Sequence, residues 1–131
     1  MKKFLLIPLF ALSSACAIIP DGPVVDGPVA QAEGTPVPVG EPVWVGKLVA
    51  TPMTVDEDSR CPMNARCVWA GQLIVSTRID GAGWREPVPL TLGKVYETHG
   101  TTILLASGTP ERMAGEQGPD QATHFTYEGG R

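Results

Sequence analysis

Three groups of residues in this chain have the types and spacing that chemistry asks for. Cys61 and Cys67 bracket the stretch Pro62-Met63-Asn64-Ala65-Arg66, Asp56-Glu57-Asp58 set carboxylates in a row just ahead of it, and His99 and His124 are the two imidazoles. Each group suggests its own chemistry. A cysteine pair closes a disulfide or ligates a metal, adjacent carboxylates offer oxygens to calcium, and a histidine serves as a general base.

None of these sets is complete as a catalytic or metal centre. Zinc takes four ligands, and the histidines are not spaced around the cysteines as in a finger or ribbon. The acidic run lacks the alternating Asp/Asn and the closing Glu of an EF-hand, and Asp58 is equally placed to pair with Arg60 or to cap a turn. A hydrolase needs a nucleophile beside its base, yet the chain has no Gly-x-Ser-x-Gly turn and no spare cysteine. We therefore expect no enzyme, no metal and no cofactor. The cysteine pair is expected to be a disulfide, because two thiols remain once the third cysteine, Cys16, is removed from the pool by export. So small a ring stabilises by only about 2 kcal/mol, so its work is local shape. A stapled loop of this kind can also be offered to a protease as a preorganised inhibitor segment, with Met63, Asn64 and Arg66 as its contact side chains.

Cys16 belongs to a leader. Lys2 and Lys3 are followed by an apolar run over residues 4–12, interrupted by Pro8, and then by Ser13-Ser14-Ala15-Cys16-Ala17. That is the n-, h- and cleavage-region order of a secretory signal, and the apolar run is too short to span a bilayer. Leu12-Ser13-Ser14-Ala15-Cys16 resembles the lipobox of bacterial lipoproteins, which implies that Cys16 is lipidated and becomes the first residue. The favoured leucine three places before the cysteine is Ser13 here, and Ala15-Cys16-Ala17 also reads as an ordinary small-x-small site, which would release the protein. The segment behind Cys16 favours the anchor. Residues 17–42 are rich in Pro, Gly and Val, with a near-repeat of Asp21-Gly22-Pro23-Val24-Val25 in Asp26-Gly27-Pro28-Val29-Ala30. Proline removes donors and fixes φ, so this stretch is expected to be an extended, disordered tether.

The elements that must position the candidate residues follow. Residues 43–49 alternate and are β-branched, reading as a strand ended near Pro52, with 54–56 able to continue the pairing. Residues 67–80 give the strongest pattern, with Leu73, Val75, Thr77 and Ile79 on one face and Ser76, Arg78 and Asp80 on the other. The cluster Asp80-Gly81-Ala82-Gly83 predicts a hairpin turn into a strand carrying Trp84, Val88, Leu90 and Leu92, whose outer-face Pro87 and Pro89 mark an edge. Residues 101–107 and 123–127 are further strands, with a long polar loop over 111–121. No helical period appears. The fold class is all-β, a single small antiparallel β-sandwich or open barrel over residues 43–128, behind a signal peptide (1–16) and a tether (17–42).

Asp58-Ser59-Arg60-Cys61-Pro62 followed by Cys67-Val68-Trp69-Ala70-Gly71 resembles a motif of small exported bacterial proteins of unassigned function. The resemblance covers residues 36–127 and implies export, the same bridge and β architecture, and no activity. By itself the motif reads as a turn stapled to the start of the strongest strand, with Trp69 packed over the disulfide. The net charge of −4 turns more acidic once Lys2 and Lys3 are cleaved away, which argues against nucleic acid or anionic lipid headgroups as partners. The expected protein is thus a non-catalytic envelope lipoprotein, facing the periplasm from the outer membrane, with a binding or structural β module. Its partners are the membrane, through the lipid, and an unidentified envelope protein or ligand; an inhibitor module presenting the Cys61–Cys67 loop is the alternative.

Overall fold

The computed structural model describes residues 27–115 and 120–131. The leader, Cys16 and residues 17–26 of the expected tether lie outside the described residues, as do 116–119 of the long loop. Eight strands follow in chain order: β1 (Val37–Pro38), β2 (Val43–Val45), β3 (Leu48–Asp58), β4 (Leu73–Gly81), β5 (Trp84–Thr91), β6 (Val95–Thr98), β7 (Thr101–Thr109) and β8 (His124–Gly129). They form two antiparallel four-stranded sheets, β2-β3-β4-β5 and β1-β8-β7-β6. No helix occurs among the described residues. The protein is a small all-β sandwich.

The alternating side chains of both sheets meet between them. Val43, Val45, Leu48, Ala50, Leu73, Val75, Ile79, Val88 and Leu90 come from one sheet, and Val37, Ile103, Leu105, Phe125 and Tyr127 from the other. This is period-two burial. Thr77 occupies an inward position, where a lone hydroxyl would be costly. It donates to the Val75 carbonyl at 3.2 Å and meets the buried Tyr127 hydroxyl at 2.9 Å, a polar link between the sheets. Burial pushes the Tyr127 hydroxyl well above its ordinary pKa, against the lowering effect of Thr77.

Four expectations need correction. Residues 43–49 are not one strand: Val45 faces Leu48 across a two-residue turn, and Gly46, at φ +57°, takes a backbone conformation open to glycine, in a spot where a Cβ would strike the carbonyls of Gly129 and Gly130. Pro52 does not end the next strand. Its carbonyl accepts from the Gly40 amide at 2.7 Å, away from β4, so its missing donor also points away and the β3–β4 ladder does not need it. Register shifts at Met53 and Asp56 then carry β3 on to Asp58. The strong strand starts at Leu73, leaving residues 59–72 as a long connection. Finally, part of the expected tether is folded: Gln31 bridges Val43, Val37 pairs with Phe125 and is fully buried, and Pro42 is buried as well.

The β4–β5 hairpin at Ala82-Gly83 is as expected, and β5 is an edge strand with Pro87 and Pro89 exposed. Strand β6 escaped the sequence reading, because its exposed Val95 and Glu97 break the apolar alternation.

Candidate functional site

The strands deliver two very different ends. Tight turns at Gly46-Lys47, Ala82-Gly83 and His99-Gly100 close one of them, the hairpin end. The other, the stapled end, gathers the 59–72 connection and the 110–123 loop.

At the stapled end Asp58 and Arg60 form a buried clamp, their side chains 2% and 10% exposed. The guanidinium grips the carboxylate with two bonds, Nε to Oδ1 at 2.7 Å and Nη2 to Oδ2 at 2.9 Å. It also donates to the carbonyls of Gly108 (2.9 Å) and Pro110 (3.1 Å), while Asp58 Oδ2 accepts from the Ala122 amide at 2.8 Å. One ion pair therefore holds both ends of the 110–123 loop against β3. Burial alone would raise the Asp58 carboxyl; the Arg60 and Ala122 hydrogen bonds and the guanidinium charge outweigh it and hold the carboxyl below its ordinary value. Arg112 Nη1 donates to the Arg60 carbonyl at 2.7 Å, tying the loop back once more.

Above the clamp lies the bridge. Cys61 and Cys67 are disulfide-bonded with Cα atoms 5.8 Å apart. Ser59 and Cys61 donate their amides to the carbonyls of Gln72 and Ala70, at 2.8 and 3.1 Å. Gly71 sits at φ +68° with its Cα against the Ser59 carbonyl, where any Cβ would collide. Between the cysteines the chain is a turn, with Ala65 N to Pro62 O at 3.1 Å, and Asn64 exchanges two hydrogen bonds with Ala114 (3.0 and 2.7 Å). Asn64 is thus a brace, while Met63 and Arg66 are exposed. A turned, braced loop does not present the extended backbone that a strand-pairing cleft takes up.

Trp69 is not packed over the disulfide. It is 83% exposed, beside Val68 at 92%, with Met63 at 70%. Each lies within two residues of a bridged cysteine, and Met113 adds a further exposed apolar side chain next to Arg112. Ser59–Gln72 and Cys61–Ala70 prolong the β3–β4 pairing into the connection, and the indole lies on its outside.

The hairpin end treats its tryptophan the opposite way. Trp84 is partly buried against the core and stacks on the His99 ring, centroids 3.8 Å apart and planes 8° from parallel. His99 is held at φ +47° by its two-residue turn. Glu86 accepts from Tyr96 at 2.7 Å and Thr98 at 2.5 Å, and Thr98 Oγ1 meets His99 Nδ1 at 2.7 Å. The Thr98 and Tyr96 hydrogen bonds hold the Glu86 carboxyl below its ordinary value, and the bond to Glu86 pushes the Tyr96 hydroxyl up. An open depression of about 400 Å³ beside this group is lined by residues 97–102 and Arg131, none of them serine or cysteine. The carboxylate, threonine and imidazole are linked in series and join β5 to β6 and to the turn that follows it. His124 stands apart, its Nδ1 3.0 Å from Thr123 Oγ1 on the exposed start of β8.

The acidic run is dispersed. Asp56 accepts from Thr54 and Ser76, Glu57 from Gln72, and Asp58 belongs to the clamp. Among the described residues no group of three or more His, Cys, Asp or Glu converges as a metal would need. No family model, curated protein or solved structure matches the chain.

Proposed function

We propose that this chain is an exported, lipid-anchored envelope protein whose sandwich is a non-catalytic binding module, and that it binds through the stapled end. The leader and Cys16 supply the address and the anchor. The observation that carries the reading is the exposure of Val68 and Trp69 on a frame made rigid beneath them. Asp58, Ser59, Arg60, the two cysteines, Ala70 and Gly71 each have a role in folding the connection. Val68 and Trp69 have none. Large apolar side chains held in water on a rigid support are unfavourable unless a partner covers them, and rigidity lowers the entropy lost when it does.

Crosslinking in cells tests this directly. A photoreactive residue placed at position 69 should give a specific adduct, protein or lipid, and one placed at position 99 should not. Adducts equally frequent from both positions, or none from position 69, would remove the stapled end as the binding surface. For the anchor, fatty-acid label should enter the wild-type chain and be lost in Cys16→Ser. A mature amino terminus at Ala17 or Ile18 would show release instead.

A further inference from the structure

We infer that the free edge of β6 pairs with the same edge of a second copy of this chain, joining two sandwiches through one continuous sheet. The edge shares no residue with the stapled end and stands or falls independently of it.

A sheet edge leaves a row of unpaired amides and carbonyls, and proteins guard such rows against stray pairing. Three of the four edges in the described residues are guarded. At β2, Gln31 donates to the Pro42 carbonyl at 2.8 Å and accepts from the Trp44 amide at 2.9 Å, which fills that side. Strand β1 is two residues long, and its Pro38 has no amide hydrogen and gives its carbonyl to Glu41 at 3.2 Å. At β5 the Leu92 amide donates to the Leu73 carbonyl, so even-numbered residues face β4 and odd-numbered ones face out. Pro87 and Pro89 therefore occupy outward positions and offer no donor there.

Strand β6 is left open. Thr98 faces Thr101 across the two-residue turn, and the Thr102 carbonyl accepts from the Gly130 amide at 2.6 Å, so Thr102 points away from β6. Its opposite number, Glu97, directs its own amide and carbonyl outward, and Val95 two residues earlier does the same. Among the described residues no backbone group meets them, and both residues are exposed, Val95 at 63%.

This edge fits itself in one register. With a two-fold axis at Tyr96, Val95 lies opposite Glu97 of the second copy and Glu97 opposite its Val95, and each pair exchanges both backbone hydrogen bonds. Slipping by two residues one way sets Glu97 against Glu97, a like-charge pair. Slipping the other way calls on Gly93, whose amide is already given to Leu105 at 3.0 Å and whose φ of +80° leaves the strand. A two-fold contact uses up the edge on both copies, and the remaining edges are guarded, so pairing stops at the dimer. The contact is small, in the range below about 1,200 Å² of weak and transient associations, so it fills only at high chain concentration. His99 lies beyond the paired residues with its ring on Trp84 of its own chain, so position 99 faces its own domain and not the second copy.

The test co-expresses two differently tagged full-length chains, one carrying Val95→Cys and the other Glu97→Cys, with mild oxidation of the intact cells. Both substitutions fall at exposed positions. A disulfide-linked dimer bearing both tags is expected, several-fold more abundant than the same-residue dimers of either chain alone, because Val95 and Glu97 are opposed while like positions are staggered. Adding Glu97→Pro to the first chain and Val95→Pro to the second removes only outward donors and leaves the β6–β7 ladder its bonds. The mixed dimer should then disappear while the melting temperature of the purified chains changes little. No dimer, mixed and same-residue dimers in equal yield, a mixed dimer that survives the prolines, or linkage only to some other protein each overturns the inference.

Discussion

The two ends of the sandwich terminate the same strands and dispose of an indole in opposite ways. At the hairpin end two-residue turns bring β5 and β6 close enough for Trp84 to lie on His99, with Glu86 bonded to Tyr96 and Thr98 beside it. Aromatic surface there is consumed in holding sheet to sheet. At the stapled end the connections are long, and what holds them is polar and covalent: Asp58 with Arg60, Arg112 with the Arg60 carbonyl, Asn64 with Ala114, and the bridge. Its apolar side chains face out. Ordinary packing puts apolar groups inside and polar groups outside, so this end is inverted, and a rigid polar frame under exposed apolar residues is how a surface is presented rather than buried.

If that contrast is right, the stapled end depends on its clamp more than on its apolar residues. Arg60→Ala leaves the Asp58 carboxylate buried without its counter-charge, and urea denaturation should show a loss of about 3–5 kcal/mol. A loss below about 1 kcal/mol would mean that the frame is held by something else. The same pair sets an acid limb. The folded Asp58 carboxyl binds its proton less tightly than the unfolded one, so the unfolded state takes up more protons as pH falls. The clamp's contribution is complete above the ordinary carboxylate range and disappears as pH drops through the lowered folded value. Asp58→Asn should flatten the stability profile in that window, which pH-dependent melting would reveal. Glu86 is shifted the same way at the other end but is more exposed, so Glu86→Gln should flatten it less.

Cutting the bridge ranks next. Replacing Cys61 and Cys67 together by serine should lower stability by about 2 kcal/mol, since the ring is small and the clamp remains. The hairpin end can be probed at His99, where stacking and backbone strain separate. His99→Ala loses the ring contact and keeps a side chain at φ +47°, whereas His99→Gly loses the contact and removes the strain. His99→Gly should therefore be the more stable of the two by roughly 1 kcal/mol, read from chemical denaturation. Equal values would show that the turn relaxes once the stack is gone.

How far the sequence foretold all this varies with the physics involved. Inner-face alternation at Leu73, Val75, Thr77 and Ile79, and the glycines of the β4–β5 turn, revealed the central hairpin because period and turn chemistry are local. The Gly46-Lys47 turn was missed because a run of β-branched residues masks a single glycine, and Pro52 misled because its effect depends on which side of β3 its nitrogen faces. Val37 was assigned to the tether on proline content, although its burial depends on pairing with Phe125, far away in the chain. Asp58–Arg60 pairing was one of two readings the sequence left open, beside capping of the turn. The partners of the clamp, Gly108, Pro110 and Ala122, were not legible, since they are long-range carbonyls and an amide that leave no mark on side-chain type. Trp69 was placed on the wrong side for a related reason: neighbouring cysteines suggested a packed aromatic, but whether a side chain of the connection meets the core depends on packing that its sequence neighbours do not reveal.

The smallest effect on stability belongs to the residue on which the contrast turns most. Trp69 is exposed and touches little of the fold, so Trp69→Ala should change unfolding free energy by no more than about 0.5 kcal/mol, within the range of ordinary surface substitutions. A drop of about 2 kcal/mol or more would show that the indole packs within the domain, as the motif first suggested. The stapled end would then be a closed structural end like its opposite, and the surface would have to be sought elsewhere on the sandwich.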